Sequence, residues 1–340
     1  MAEKKNAPEP ALPAYHPFSW LPRLGFDRER LPKKLFMIQP MMMKVIYGLL
    51  PALLGAVYFF GYRVLVVTAV VLLAGVISEG LFTLRNKKPI TSAIFVTSLI
   101  FTLSLPPGIP IWMAVVGIVF GTIFGKMVFG GFGHNVYNPA MVGRCFIYIS
   151  FPIALTNRWV EPLAGGVGGL ASWQADAVTT ATPLTRFAAG ESVPLSDLFW
   201  GNVTGSMGET SAILLILGGI YIIWTRSAPW RIALSFFLGG LAASGLLFVM
   251  GVPNVPNPVF YLLAGSFLFG GFFVATEPIS GPRSKELHWV YGGLLGILVV
   301  ILRRYSNFPE GVMFAVLFMN TFVPVADQGV RNLKQKRSGK

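Results

Sequence analysis

The sequence has few charged residues, a single cysteine and three histidines. Charged side chains make up 12% of its 340 residues, about half the share of an ordinary soluble domain. Cys145 alone can neither form a disulfide within the chain nor hold an iron–sulfur cluster, so we expect a small buried apolar role for it. His16, His134 and His288 are far apart and match no zinc or haem spacing. We therefore expect no metal site.

Long apolar runs dominate what is present. Hydrophobic residues form 54% of the chain, and the mean hydropathy is +0.65. A membrane core is about 30 Å thick and is crossed by roughly 20 apolar helical residues. The sequence therefore predicts an all-α integral membrane protein with about ten spans. We place them at 45–62, 64–84, 91–106, 108–125, 139–154, 208–225, 230–251, 259–275, 288–302 and 308–325.

The net charge of +13 follows a membrane pattern, because most basic residues flank apolar runs. We therefore expect no nucleic-acid partner. With the N-terminus in the cytosol, 22 basic residues fall on the cytosolic side, Lys126 and Arg144 among them, and 5 fall outside. This bias predicts a multi-pass protein with both termini cytoplasmic and the loop 155–207 outside. The first forty residues contain no apolar run of signal-peptide length, and we interpret them as a retained arm.

The two halves of the chain repeat several features. Phe95-Val-Thr-Ser98 recurs as Phe273-Val-Ala-Thr276, and the Asn138-Pro139 start of one span recurs as Phe308-Pro309. Five spans per half would make the repeats inverted, with short or broken helices around a midplane site. The alternative is two helical hairpins with ordinary Gly/Pro turns. The predicted division is an arm (1–41), a first membrane repeat (42–155), an outer loop (156–207), a second repeat (208–327) and a basic tail (328–340).

Three carboxylates fall in or near the predicted spans. Glu79 lies well within a span, where a charge costs about 2.5–3.5 kcal/mol, so it should have a partner or a proton. Glu277 and Asp327 lie near span ends, where a solvated carboxylate is the usual explanation. Carboxylates at the rim of a wet cavity could also bind or pass Na⁺ or H⁺.

A polar cluster in the outer loop reads DAVTTATPLTRF, from Asp176 to Phe187. By composition it is an ordinary loop, and no histidine lies nearby to activate a hydroxyl nucleophile. Its order resembles the D-x-x-[S/T]-G-A-T motif on which flavin transferases attach FMN, taken from FAD, through a phosphoester. The resemblance matches Asp176, Thr179, Ala181 and the acceptor Thr182. It departs at Thr180, where the motif prefers glycine, and at position 177, where glycine is frequent.

Other segments of the chain strengthen this resemblance, because they match one family in the same order. They read KKPITSAIFVTSLIFTLSLPPGIPIW, GKMVFGGFGHNVYNPAMVGRCF, GNVTGSMGETS, FVATEPISGP and FPEGVMFAVLFMNTFVPVADQ. From residue 42 to residue 328 the chain resembles the family that contains the D subunit of the Rnf ferredoxin–NAD⁺ oxidoreductase and the B subunit of the Na⁺-translocating NADH–quinone reductase. The GFGHN form and the modest length are closer to the Rnf member.

The resemblance implies a urea-transporter-like fold of ten spans in two inverted halves, in a bacterial inner membrane. It implies FMN on Thr182 at the outer face, a cation pathway through Glu79, Glu277 and Asp327, and an open question of a noncovalent riboflavin. At position 277 the family usually has aspartate. Implied partners are a flavin transferase and the other subunits of a translocase, including a second flavin-bearing subunit and iron–sulfur subunits. The chain would not be catalytic alone.

Three further side chains are candidates for flavin contacts. Arg186 could pair with the flavin phosphate, or simply with Asp176. Trp173 and Phe187 could stack on the isoalloxazine, or serve as membrane-interface aromatics. The open alternatives for the whole chain are a quinone-reductase B subunit, a flavin-free channel or transporter, and a structural anchor for partner subunits.

Overall fold

The computed structural model describes residues 32, 34–156, 158–162, 180–306 and 311–337, and these are mostly helical. One short sheet departs from the all-α expectation. Strand β1 (Phe36–Met37) pairs in parallel with β2 (Ile90–Thr91). The backbone N–H of Ser92 also donates to the carbonyl of Met37 at 3.0 Å. The end of the predicted arm therefore packs on the chain.

The helices fall into two membrane regions with two short helices between them. The first region contains α1 (Pro40–Phe60), α2 (Arg63–Arg85), α3 (Ala93–Leu103), α4 (Ile111–Thr122) with a π-helical turn (Ile123–Met127), α5 (Pro139–Ser150) and α6 (Pro152–Thr156). The short connecting helices are α7 (Pro183–Ala188) and α8 (Leu195–Trp200). The second region contains α9 (Ala212–Trp224), α10 (Trp230–Val249), α11 (Pro258–Leu263), α12 (Phe267–Phe269) with a π-helical turn (Gly270–Val274), α13 (Lys285–Tyr305) and α14 (Gly311–Arg337).

Five of the described helices are long and apolar enough to cross a membrane: α1, α2, α10, α13 and α14. The other predicted spans are shorter or interrupted. Predicted span 139–154 divides at Phe151, since Pro152 starts a new helix. Predicted span 259–275 breaks between α11 and α12, where Gly265 has a φ of +62° that favours glycine.

Close helix contacts join the two regions. Helix α1 crosses α9 at Gly48 and Gly218, where an added Cβ on Gly218 would lie 2.1 Å from the Gly48 carbonyl oxygen. Helix α5 of the first region also packs against α14 of the second. Any larger residue at Gly218 would push α1 and α9 apart.

Large apolar side chains cover the outward faces of the long helices. Leu54 and Leu73 of the first region and Leu246 and Val249 of the second are each more than 60% exposed. Soluble monomers rarely leave contiguous apolar faces open to water. Together with the five long apolar helices, these faces indicate a membrane protein.

Candidate functional site

Glu79 on α2 lies at the centre of a closed hydrogen-bond cluster. Its Oε2 accepts from Lys126 Nζ at 2.6 Å, and its Oε1 accepts from Thr91 Oγ1 at 2.6 Å and from the Thr91 N–H at 3.0 Å. Lys126 Nζ also donates to Thr91 Oγ1 at 2.9 Å. Glu79 is 0% exposed and Lys126 is 2% exposed. The structure thus provides the partner that a carboxylate at this depth requires.

Two of the basic residues counted on the cytosolic side are buried in ion pairs. Lys126 pairs with Glu79, and Arg144 of α5 has its Nη1 3.7 Å from Oε1 of Glu209. All four side chains are at most 5% exposed. These two residues neutralise buried carboxylates, so they do not report on the orientation of surface loops.

Glu277 follows the second π-helical turn and shares a small cavity with Lys126. Its Oε2 accepts hydrogen bonds from the N–H and from the hydroxyl of Ser280. The cavity between the two regions measures about 30 Å³, and its lining includes Lys126, Glu277, Asn135 and Asn138. A volume of this size holds about one water molecule. The structure therefore places Glu277 beside the Glu79 cluster, half-buried rather than fully solvated.

Asp327 of α14 caps the start of α13. It accepts hydrogen bonds from the N–H of Arg283 at 2.9 Å, and from the N–H and hydroxyl of Ser284 at 3.1 and 2.6 Å. The side chain is 6% exposed, so the expectation of a solvated carboxylate is corrected. Its physical role here is to satisfy donors at a helix N-terminus.

Two buried asparagines, absent from the predicted site, link the regions near Glu277. Asn138 caps α5 through its Oδ1, and its N–H donates to Oδ1 of Asn320 at 3.3 Å. Asn320 in turn donates to the Ser280 carbonyl at 3.0 Å. The Asn-Pro pair at 138 marked a helix start in the sequence, but nothing there identified Asn320 as its partner.

Thr182 lies at the start of α7, at the edge of an open cleft. It is the N-cap residue with an extended backbone (φ −67°, ψ 158°), and Pro183 occupies the first helical position. The half-buried Thr182 hydroxyl lies 2.9 Å from the Thr185 hydroxyl. The cleft has a volume of about 410 Å³, within the range of small-molecule sites. Its other walls include Trp159, Thr204, Glu209, Ser266 and Arg303.

Of the other residues predicted to contact the flavin, some line the cleft and others do not. Ala181 is exposed and lines the cleft beside Thr182. Arg186 points elsewhere and pairs with Glu191 at 2.8 Å on the surface. Phe187 packs on Phe260, with ring centroids 5.5 Å apart. The predicted residues Asp176, Thr179 and Trp173 lie outside the described part of the chain.

Two charged residues in the cleft were missed by sequence reasoning. Glu209 comes from the segment before α9, and Arg303 comes from the far end of α13. Arg303 donates to the carbonyls of Tyr261 and Ala264 and to the hydroxyl of Ser266 at 3.1–3.3 Å. One sequence signal was available, since Arg303 is among the five basic residues that break the positive-inside pattern.

Comparison with known proteins agrees with the resemblance drawn from the motifs. A family model for the NQR2, RnfD, RnfE family matches residues 33–336. A Yersinia pestis protein named as the B subunit of Na(+)-translocating NADH-quinone reductase is 36% identical over 295 residues, which cover 84% of this chain and 70% of that protein. A protein of the same name from Pseudoalteromonas atlantica is 38% identical over 303 residues, with 85% and 71% covered. The chain therefore belongs to the NQR2, RnfD, RnfE family.

Proposed function

We propose that this chain is a membrane subunit of an ion-translocating oxidoreductase complex and carries FMN bound through a phosphoester to Thr182. The family and the names of the relatives support the general assignment. The observation that carries the flavin proposal is the position of the Thr182 hydroxyl. It belongs to an acceptor-like sequence and opens on a cleft of ligand size.

The residues around Thr182 fit a tethered flavin. The exposed and small Ala181 leaves room for the transferase to approach the hydroxyl, and Thr182 offers an oxygen at the cleft edge rather than in the core. When bound, FMN supplies one-electron transfer between carriers. The protein holds it at a fixed place and sets its electrostatic surroundings.

Two complexes are candidates for the whole assembly. The first is an Rnf-type ferredoxin:NAD⁺ oxidoreductase, with a second flavin-bearing subunit and iron–sulfur subunits as electron-transfer partners. The second is a Na⁺-translocating NADH:quinone reductase in which this chain serves as the B subunit, a role favoured by the names of its relatives. Either assembly could also contain a noncovalent riboflavin. The purified complex distinguishes them by its reactants: ferredoxin with NAD⁺, or NADH with quinone.

The proposed topology places ten spans in two inverted halves, with both termini in the cytoplasm and Thr182 on the outer side of the cell inner membrane. Contacts between matching helices, α1 with α9 and α5 with α14, support this repeat. Na⁺ or H⁺ would pass near Glu79 and Glu277, with Asp327 as the third acidic position.

Denaturing gel electrophoresis under ultraviolet light tests the flavin proposal directly. With a flavin transferase co-expressed, we expect a fluorescent wild-type band and a dark band for Thr182→Ala. Thr185→Ala is the matched control, since it removes the neighbouring hydroxyl and should leave the band bright. A dark wild-type band would overturn the proposal and favour a flavin-free channel or transporter of the same family.

Ion movement requires a separate test with the assembled complex in vesicles. Glu79→Gln should reduce Na⁺ or H⁺ translocation per electron transferred, because it removes a negative charge from the proposed cation pathway. Full pumping by an assembled Glu79→Gln complex would instead indicate that this subunit only anchors its partners.

A further inference from the structure

We propose that Arg303 is the fixed positive charge that faces the tethered flavin and raises its reduction potential. This inference rests on the proposed attachment of FMN to Thr182. In this proposal Arg303, on α13 of the second membrane region, sets the reduction potential of the FMN attached to Thr182 in the connecting segment. Sequence reasoning had named a different arginine, Arg186, as a partner either of the flavin phosphate or of Asp176.

The position of Arg303 is the first argument. Its side chain lines the same 410 Å³ cleft as Thr182, and it also lines a neighbouring cleft of about 310 Å³. It therefore lies where the two clefts meet, close to the helix that Thr182 caps. By contrast, the Arg186 side chain pairs with Glu191, and both are about half exposed to solvent.

The way Arg303 is held is the second argument. It donates hydrogen bonds to the Tyr261 and Ala264 carbonyls and to the Ser266 hydroxyl, and its guanidinium lies over the Tyr261 and Phe267 rings. These contacts fix the direction of the guanidinium. A preorganised charge of this kind acts on a bound group without having to reorganise.

The positive charge of Arg303 determines the sign of its own effect on the flavin. Accepting one electron from a partner carrier adds one negative charge to the flavin, while Arg303 stays protonated and forms no bond. A nearby positive charge stabilises that added charge, more strongly in a partly buried cleft than in water. Glu209 on another wall has the opposite sign, but Arg144 lies beside it and offsets its charge.

The test is a redox titration of the purified complex, followed by flavin absorbance. Subtraction of the Thr182→Ala complex identifies the signal of this flavin among those of partner subunits. For Arg303→Gln we expect a midpoint potential lowered by ~59 mV, which is a tenfold change in a one-electron equilibrium. Arg303→Lys should restore most of the potential. Arg304→Gln is the matched control, because Arg304 lines only the neighbouring cleft.

A second variant protects the test against misfolding, since Arg303 also supports the break between α11 and α12. Ser266→Asp keeps the arginine and places a carboxylate against it, so it should lower the potential as Arg303→Gln does. An unchanged potential in a fluorescent, assembled Arg303→Gln or Ser266→Asp complex overturns the inference. Failure of both variants to assemble with FMN also overturns it, by showing a purely structural role. A dark wild-type band would instead reject the flavin proposal itself.

Discussion

The Glu79 cluster and the Thr182 cleft are opposite solutions to placing polar groups in an apolar protein. In the first, Glu79, Lys126 and Thr91 are at most 6% exposed, and they satisfy one another within 3.0 Å. In the second, a half-exposed hydroxyl faces an open volume of about 410 Å³. The polar groups of the closed cluster are already hydrogen-bonded to one another, whereas the cleft beside Thr182 is large enough for a small molecule.

This difference limits how an ion could use Glu79. Both carboxylate oxygens already accept hydrogen bonds, and the ammonium of Lys126 occupies the place of a bound cation. A transported cation would reach Glu79 only if Lys126 moved away. Lys126 also lines the small cavity that contains Glu277, so a second carboxylate is near enough to attract it.

The largest predicted effect comes from breaking the closed cluster. Lys126→Met should lower the free energy of unfolding by about 3–5 kcal/mol, because it leaves the buried Glu79 without its counter-charge. Thermal or denaturant unfolding of the protein in detergent measures this loss. The double variant Lys126→Met with Glu79→Gln is the control and should recover much of the stability. Equal losses in the single and double variants would show that the pair contributes little.

A smaller effect is expected at the Arg144–Glu209 pair beside the open cleft. The charged atoms are 3.7 Å apart, against 2.6 Å for Lys126 and Glu79, so the attraction is weaker. We expect Arg144→Met to cost about 2 kcal/mol. The same unfolding measurement applies, with Arg144→Met combined with Glu209→Gln as control. If Arg144→Met lowered the free energy of unfolding as much as Lys126→Met, the Arg144–Glu209 pair would be as strongly coupled as the Lys126–Glu79 pair.

Sequence reasoning found the positions that needed partners, but it did not find the partners. Glu79 was recognised because a charge inside an apolar run is costly wherever the fold places it. Lys126 was assigned to an orientation count, since its contact with Glu79 depends on how α2 packs against α4 and its π-helical turn. The breaks near Phe151 and Gly265 were not predicted, because both lie inside spans that were predicted as continuous.

The flavin site shows the same limit. Thr182 was identified from a local motif, and the start of α7 at Pro183 follows from local preferences. Arg303 and Glu209 reach the cleft from distant parts of the chain, and no spacing rule connects them with Thr182. Arg186 was favoured only because it is close in sequence. Local sequence patterns therefore identified the attachment residue, whereas the charged residues around it could be identified only from the fold.

A moderate effect is expected where Asp327 caps α13, a site that is buried like the Glu79 cluster but is held by backbone and hydroxyl donors. Asp327→Asn should cost about 1–2 kcal/mol, because it weakens hydrogen bonds to the donors of Arg283 and Ser284. Thermal unfolding is the measurement. Glu286→Gln is a suitable control, since its pair with Lys334 is more than half exposed. Equal effects for both variants would contradict a specific capping role.

The smallest effect is expected on the exposed side of α7. Arg186 and Glu191 are 45% and 55% exposed, and such pairs typically contribute less than about 1 kcal/mol. Arg186→Ala should therefore leave both the unfolding transition and the fluorescence of the Thr182-bound flavin nearly unchanged. Added salt should also have little effect on the difference between variant and wild type.

The Arg186→Ala variant sharpens the comparison because Arg186 is close to Thr182 in sequence, whereas Arg303 shares its cleft. If proximity along the chain determined flavin binding, Arg186→Ala would reduce flavin retention or shift its potential, and Arg303→Gln would not. If the cleft determines it, the order is reversed, because Arg303 lines the volume that the flavin would fill. The two variants each remove one positive charge, so a difference between them reports position rather than charge.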